Sequence, residues 1–277
     1  MNKVVKKLGW SLFPHHFFRV HFRNYKWAKW TEREQAIIPL FLSKKTECID
    51  IGANHGRYTA LMSIFSRHVH AFEPNPECVT NLEDLCLPNA SVYPFALSSL
   101  ARTSEFFVPM RDDDEVDDLG TLDRPVLSSF SDIRHYTVET STLDALRINK
   151  PISFVKVDVE GHEIDVLTGG KRLIAEEKPV VMVEAEERHK ANAVKNVQEF
   201  FENLGYQGFY AIDNTVMPLD SFDDALQNPE ELSRPVSFRE MRYINNFIFL
   251  PDTLEIQSMV EKMKQNLNDE RLSWTLM

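Results

Sequence analysis

Short apolar runs of strand length alternate along this chain with longer segments of helical periodicity. Glu47-Cys48-Ile49-Asp50-Ile51 is a strand-length run closed by Gly52, and Gly56 opens a segment with apolar positions at Ala60, Leu61, Ile64 and Phe65, the spacing of a helix. The strand His68-Val69-His70-Ala71-Phe72, a helix after Pro76 and the strand Val92-Tyr93-Pro94-Phe95 follow. Such alternation predicts a parallel sheet with helices on both faces. Residues 99 to 140 break the rhythm with an extended Glu105-Phe106-Phe107-Val108 and an acidic run at Asp112, Asp113, Asp114, Glu115, Asp117 and Asp118, expected to be a solvated, mobile insertion. The rhythm resumes with the strand Ser153 to Val159, a helix from Glu163 to Ala175, the strand Val180 to Glu184, and an amphipathic helix through Val197, Phe200, Phe201 and Leu204.

Two strands close the pattern, Gln207 to Ile212 and Tyr243 to Leu250, around a second loop-rich insertion at about 213–241. With no crossover helix between them, they are expected to pair antiparallel. Upstream of the sheet, Thr31 followed by Glu34 is a capping-box pattern that predicts a helix to about Leu42, kinked or shortened by Pro39. The organisation expected is an N-terminal helical arm over 1–44, an α/β domain over 45–250 and a helical tail over 251–277.

Charge changes the picture at one end. The net charge is −11, yet residues 1–30 carry seven basic residues and no acidic one, which leaves 24 Lys+Arg against 42 Asp+Glu, a net of −18, in the rest. The same thirty residues hold eight aromatics, among them Trp10, Trp27 and Trp30, three of the four tryptophans. Two readings stand: an arm that meets an anionic, sugar-bearing or membrane surface, or one whose aromatics pack on the domain while its lysines stay wet. The acidic remainder argues against a nucleic-acid partner. Cys48, Cys78 and Cys86 cannot all pair and lack metal-ribbon spacing. With no spanning run of apolar residues and no secretory signal, the expectation is a cytoplasmic protein, peripheral to the inner membrane face if the arm binds lipid.

Ligands of open parallel sheets bind beyond the carboxyl ends of the strands, so the loop Gly52-Ala53-Asn54-His55-Gly56 is the candidate site. Glu73, at the end of the next strand, can accept hydrogen bonds from a ribose diol. A dinucleotide loop places glycine two residues after its first glycine to admit a pyrophosphate; this chain has Asn54 there, which favours S-adenosylmethionine over NAD. Asp50 at the strand end is a candidate partner for that ligand's amino group.

The run Asp50-Ile-Gly-Ala-Asn-His-Gly-Arg-Tyr-Thr59, then Ala71-Phe-Glu-Pro-Asn-Pro76, Thr142-Leu-Asp144, and Lys156-Val-Asp-Val-Glu-Gly-His-Glu163 with Val166-Leu167 and Gly169 resembles the FkbM family of S-adenosylmethionine-dependent methyltransferases over about residues 45 to 190. The resemblance implies a Rossmann-like seven-stranded methyltransferase sheet, mostly parallel with an antiparallel last strand. It also implies O-methylation, often of sugars in glycans. By the same resemblance Gly52, Asn54, Gly56 and Glu73 become cofactor contacts, and Ala96-Leu97-Ser98 lies where adenine is held. His162 departs from the small or aromatic residue more usual in that box.

Methyl transfer to a hydroxyl needs alignment and a base. Asp158 and Glu160 are the candidates for base or acceptor anchor, with His162 third, while Glu163 reads as a first-turn helix carboxylate. Lys156 is expected to pair with a carboxylate, and His55 and His189 to be solvated. No metal is favoured; the alternative is a Mg²⁺ shared by Asp158 and Glu184. The function expected is O-methylation of a sugar hydroxyl of a glycan or its precursor. An NAD-dependent nucleotide-sugar oxidoreductase and a non-catalytic module binding glycan or membrane are the alternatives. The oligomeric state is open.

Overall fold

A computed structural model of the chain describes residues 2–23, 32–111, 114–233 and 242–269. Thr31, the aromatics Tyr25, Trp27 and Trp30, and the acidic pair Asp112 and Asp113 lie outside these residues, as do residues 234–241 at the end of the second insertion. The arm contributes helices α1 (Lys3–Leu12) and α2 (Pro14–Arg23). The domain then runs β1 (Glu47–Ile51), α3 (Arg57–Phe65), β2 (His68–Phe72), α4 (Pro76–Asp84), β3 (Ala90–Tyr93) and β4 (Ala96–Leu97). It continues through β5 (Arg102–Arg111), β6 (Asp114–Glu115), β7 (Ile133–Ser141), β8 (Ile152–Val157), α5 (Glu163–Gly169) and α6 (Lys171–Glu177). The remaining elements are β9 (Val180–Glu184), α7 (Ala193–Glu202), β10 (Tyr206–Ile212), β11 (Thr215–Pro218), β12 (Asn246–Pro251) and α8 (Ile256–Asn268).

The main sheet has eight strands in the order β11-β10-β12-β9-β8-β1-β2-β3, not the seven expected. The five from β9 to β3 pair parallel, whereas β12 is antiparallel to both β9 and β10, and β11 is antiparallel to β10. The sheet is therefore mixed. The antiparallel pairing of the last two expected strands holds, and the eighth strand is a hairpin return in what the sequence pattern treats as loop. Its two-residue turn, Asp213 and Asn214, has φ of 47° and 59°, the left-handed pair of a tight hairpin.

Strand periodicity divides the core between two faces. Cys48, Phe154, Met182 and Ile248 point into a cluster with α3 and the arm, while their neighbours Ile49, Val155, Val183 and Phe249 point into a second cluster with α5, α6 and α7. The arm belongs to the first cluster: Trp10, Phe18 and Phe22 are buried in it, so these aromatics pack on the domain. No helix among the described residues is long and apolar enough to cross a membrane.

Three further expectations change. The helix foreseen from Thr31 to Leu42 is two 3-10 turns, Arg33–Ala36 and Ile38–Phe41, with Pro39 in the first turn of the second, because proline supplies no N–H to a continuous α-helix. The helix foreseen from Glu163 to Ala175 breaks at Gly170 into α5 and α6. The first insertion is a second, four-stranded sheet in the order β4-β7-β5-β6, built on the long antiparallel pairing of β5 with β7.

Because Phe18 is 0% exposed at the joint between arm and domain, Phe18→Ala is expected to cost about 3–5 kcal/mol. Equilibrium urea unfolding checks this, and unchanged stability would mean that the arm is an independent appendage.

Candidate active site

The carboxyl ends of β1, β2, β8 and β9 open into one cavity of about 430 Å³, within the range of about 300–1,000 Å³ that holds small ligands. Gly52 turns the chain at its edge: φ is +77°, and a Cβ would lie 1.7 Å from the Asp158 carbonyl oxygen. The close approach of the β1 and β8 ends therefore requires glycine. Asn54 and Glu160, each on a loop that lines the cavity, also hold left-handed backbone at φ of 47° and 51°. Asparagine accepts that conformation readily, but for glutamate it is strained, and such strain concentrates at functional sites.

Glu73, at the end of β2, is 5% exposed and accepts hydrogen bonds from the Asn54 and Asn75 backbone amides, both at 2.8 Å. One bond per oxygen leaves each a second lone pair for a diol. Burial raises its pKa to about 7. Phe72, Ala96, Leu97 and Phe106 add an apolar wall suited to a nucleobase. The residues present thus fit a nucleoside cofactor, with Gly52, Asn54 and Glu73 on the wall.

Three expected contacts fall elsewhere. Asp50 shares a strand face with Cys48, under α3; it is 0% exposed, accepts from Thr59 Oγ1 at 2.5 Å and is not on the cavity wall. Gly56 caps α3, and a Cβ there would meet Leu82 and Leu85; its part is to let α3 and α4 approach. Ser98 is buried beside His162, its hydroxyl 2.9 Å from Nε2, so Ala96 and Leu97 face the cavity and Ser98 orients the histidine behind them.

Asp158, Glu160, His162 and Glu184 also stand on the wall. Lys156, 2% exposed within β8, donates to Asp158 Oδ2 at 2.5 Å. Its Nζ also lies 4.4 Å from the centre of the Tyr58 ring, a cation-π contact. Burial opposes its charge, but Asp158, Asp50, Glu184 and Glu32 hold its pKa above the ordinary lysine value. Burial, reinforced by Asp158, drives the Glu160 and Glu184 carboxyls well above theirs. Burial lowers the pKa of His162, keeping the ring neutral at neutral pH. Glu163 is the structural carboxylate foreseen, accepting from the Gly161 amide at 2.7 Å in the first turn of α5.

Asp158, Glu160 and Glu184 can bring three carboxylate oxygens within 4.8 Å of one another, as a Mg²⁺ site would need. The Lys156 ammonium already fills the cation's place beside Asp158, and a divalent ion would be repelled by it. The cluster does not fit Mg²⁺ while Lys156 is charged.

The two histidines expected in solvent are both packed. His55 Nε2 lies 3.1 Å from Asp117 Oδ2, and His189 Nδ1 lies 3.1 Å from Glu160 Oε2. Burial pushes the His189 pKa down to about 4. The described part of the acidic run is likewise anchored rather than mobile. Asn54 Nδ2 donates to the Asp117 carbonyl and to Asp118 Oδ1, each at 3.3 Å, Asn75 Nδ2 donates to Glu115 Oε2 at 3.1 Å, and Thr121 donates to the Glu160 carbonyl at 2.7 Å. The segment from Glu115 to Thr121 thereby ties together the loops after β1, β2 and β8 as one side of the cavity.

Glu32, Tyr58 and Arg188 also reach this wall, and sequence reasoning does not name them. Tyr58 donates to Glu32, and Arg188 pairs with Glu186. Tyr58 had a signal, its place in the first turn of the helix that starts at the candidate loop; Glu32 and Arg188 reach the cavity only through tertiary packing.

The methyltransferase FkbM domain family matches residues 50–207. Among solved structures, the methyltransferase FkbM of Methylobacillus flagellatus KT is similar at 15% identity and a TM-score of 0.48, over 75% of this chain and 44% of that one. This chain thus spans less than half the length of that relative. The precorrin-6y C5,15-methyltransferase of Geobacter metallireducens GS-15 is similar at 14% identity and a TM-score of 0.42, over 78% of this chain and 85% of that one. A Streptococcus mutans protein in complex with SAH shows 11% identity and a TM-score of 0.40, over 78% and 94%. No curated protein matches the chain.

The raised Glu73 pKa makes a linkage statement. A carboxyl that titrates near 7 when folded and near 4.3 when unfolded contributes stability that is full below about pH 4 and lost as pH rises through about 7. Between pH 5 and 8, without ligand, Glu73→Gln is expected to gain on the order of 3 kcal/mol relative to the parent chain, measured by urea unfolding at both pH values. A difference that does not change with pH would contradict this.

Proposed function

The chain belongs to the FkbM methyltransferase family, and from that premise we propose that it transfers a methyl group from S-adenosylmethionine to a hydroxyl of a sugar-type acceptor, a glycan or its precursor. The observation that carries this reading is a single cavity whose wall joins Gly52, Asn54 and Glu73 to Asp158, Glu160 and Glu184. When bound, S-adenosylmethionine supplies an electrophilic methyl carbon on a sulfonium. Glu73 would hold the ribose diol, and the apolar wall at Phe72, Ala96 and Leu97 the adenine. Asn54, in its left-handed turn, keeps the loop clear.

Asp158 is the base in this reading. Its side chain is 26% exposed, open to the cavity, and the Lys156 ammonium holds it in place through one oxygen, where a carboxylate can take up a hydroxyl proton. Glu160 and Glu184, whose pKa values lie well above the carboxylate range, retain their protons at neutral pH and can donate as well as accept. Several such groups around one cavity suit an acceptor that presents several hydroxyls, which is what a sugar does. His162, neutral and held by Ser98, orients the acceptor rather than taking its proton. The three free thiols accord with a reducing, cytoplasmic setting.

Calorimetric titration with S-adenosylmethionine, S-adenosylhomocysteine and NAD tests the cofactor half. The first two are expected to bind and Glu73→Ala to abolish binding; binding of NAD alone would contradict the reading. For the acceptor half, glycan pools are screened by mass for a gain of one methylene. Asp158→Asn is expected to lower transfer roughly 100- to 10,000-fold while S-adenosylmethionine affinity stays the same. Unchanged transfer would remove Asp158 from the role of base.

A further inference from the structure

We propose that α1 is an interfacial helix that docks this protein on an anionic lipid surface, so that the acceptor is met at a membrane. The inference is independent of which group is methylated. Ten residues long, α1 has two unlike sides. Gly9 and Trp10 are buried, and the Trp10 ring lies 5.9 Å from that of Phe17 in α2. A Cβ on Gly9 would lie 1.9 Å from the Phe17 ring, so α1 and α2 meet there without room to roll, and Phe18 and Phe22 continue the attachment into the core.

With that side fixed, the other side of α1 is turned to solvent, and it is apolar. Val4, Val5, Leu8 and Leu12 are 72%, 51%, 57% and 60% exposed, and Phe13 at the elbow adds a further 62%. The spacing 4, 8, 12 is one stripe of a helix. Among the described residues, nothing covers this stripe on the outer side of the helix.

The charges of the arm say what covers it. Lys3, Lys6 and Lys7 lie on α1, and Arg19 and Arg23 on α2, with no acidic residue in either helix. Lys3 pairs at 3.6 Å with Asp84 at the end of α4, and Lys6 donates at 2.7 Å to its carbonyl, while Lys7 and Arg19 are exposed. The arm is positive on a protein of net charge −11, so an anionic bilayer attracts the arm and repels the rest, fixing the orientation. At helical spacing Lys3, Lys6 and Lys7 lie on the side of Trp10, across the helix from Val4, Leu8 and Leu12, and an apolar stripe backed by a basic side is the design of a helix that lies in the headgroup layer. The arm also connects to the site: α2 runs from the elbow to Phe22, which lines the cavity, a span of roughly 15 Å for ten residues. Docking through α1 thus puts the cavity within reach of an acceptor anchored in the same bilayer.

Flotation of the full chain with vesicles of phosphatidylcholine and phosphatidylglycerol, at about three to one, and with phosphatidylcholine alone tests the proposal. The parent chain is expected to float with the first and not the second. Leu8→Glu combined with Leu12→Glu is expected to reduce that binding at least about tenfold, and Lys7→Glu combined with Arg19→Glu to reduce it as well, with melting temperatures unchanged because all four side chains are exposed. Failure to float with anionic vesicles overturns the proposal, as does flotation that Leu8→Glu with Leu12→Glu leaves intact. Self-association abolished by that same pair, without vesicle binding, would assign the face to a second copy of the chain.

Discussion

Lys156 places a full positive charge inside the sheet, and the geometry of the site follows from how that charge is matched. The side chain is 2% exposed. A lone ammonium there would be untenable, and a buried carboxylate cluster without it equally so. Asp158 meets it directly at 2.5 Å, Tyr58 covers it with a ring face, and Asp50, Glu184 and Glu32 stand around it. The carboxyls that remain, above all Glu160 and Glu184, answer by holding their protons. The cation thereby engages Asp158 directly, while burial raises the neighbouring Glu160 and Glu184 carboxyls, a contrast of environments of the kind acid and base chemistry uses.

The rest of the molecule frames that arrangement. Parallel strands bring the ends of β1, β2, β8 and β9 to one edge, and Gly52 allows the chain to turn within 1.7 Å, measured to a Cβ it does not have, of the Asp158 carbonyl. The second sheet sends Glu115 to Thr121 across the three loops that carry the site. The arm closes another side with Phe22, whose ring lies 5.8 Å from the Arg57 guanidinium. Sheet, insertion and arm each own part of one cavity, which is why acceptor choice is expected to reside in the two parts least like a common α/β core.

Much of this was legible in the sequence wherever the signal was local. The strand-glycine-helix succession at Glu47 to Phe65 marked the cofactor loop, and Pro76 in the first turn of α4 marked the helix after β2. Signals that depend on distant pairing were not legible. β5 and β7 expose many of their side chains, so their alternation is weak and reads as irregular. β11 shows itself only through Asp213-Asn214, a turn cue overlooked inside a loop-rich stretch. Within the site, period-two alternation places Asp50 on the face of Cys48, beneath α3, although its neighbour Ile51 reaches the cavity. The burial of His55 and His189 has no sequence mark, since their acidic partners Asp117 and Glu160 come from segments far along the chain.

The proposed function rests on one cavity whose wall joins Glu73 and the apolar residues suited to a nucleoside with the acids Asp158 and Glu160. A crystal structure of the protein soaked with S-adenosylhomocysteine tests that claim most directly. The ribose is expected against Glu73, the adenine along Phe72, Ala96 and Leu97, and the sulfur turned toward Asp158 and Glu160. A ligand bound with its sulfur remote from those acids, or bound outside the cavity, would contradict the account.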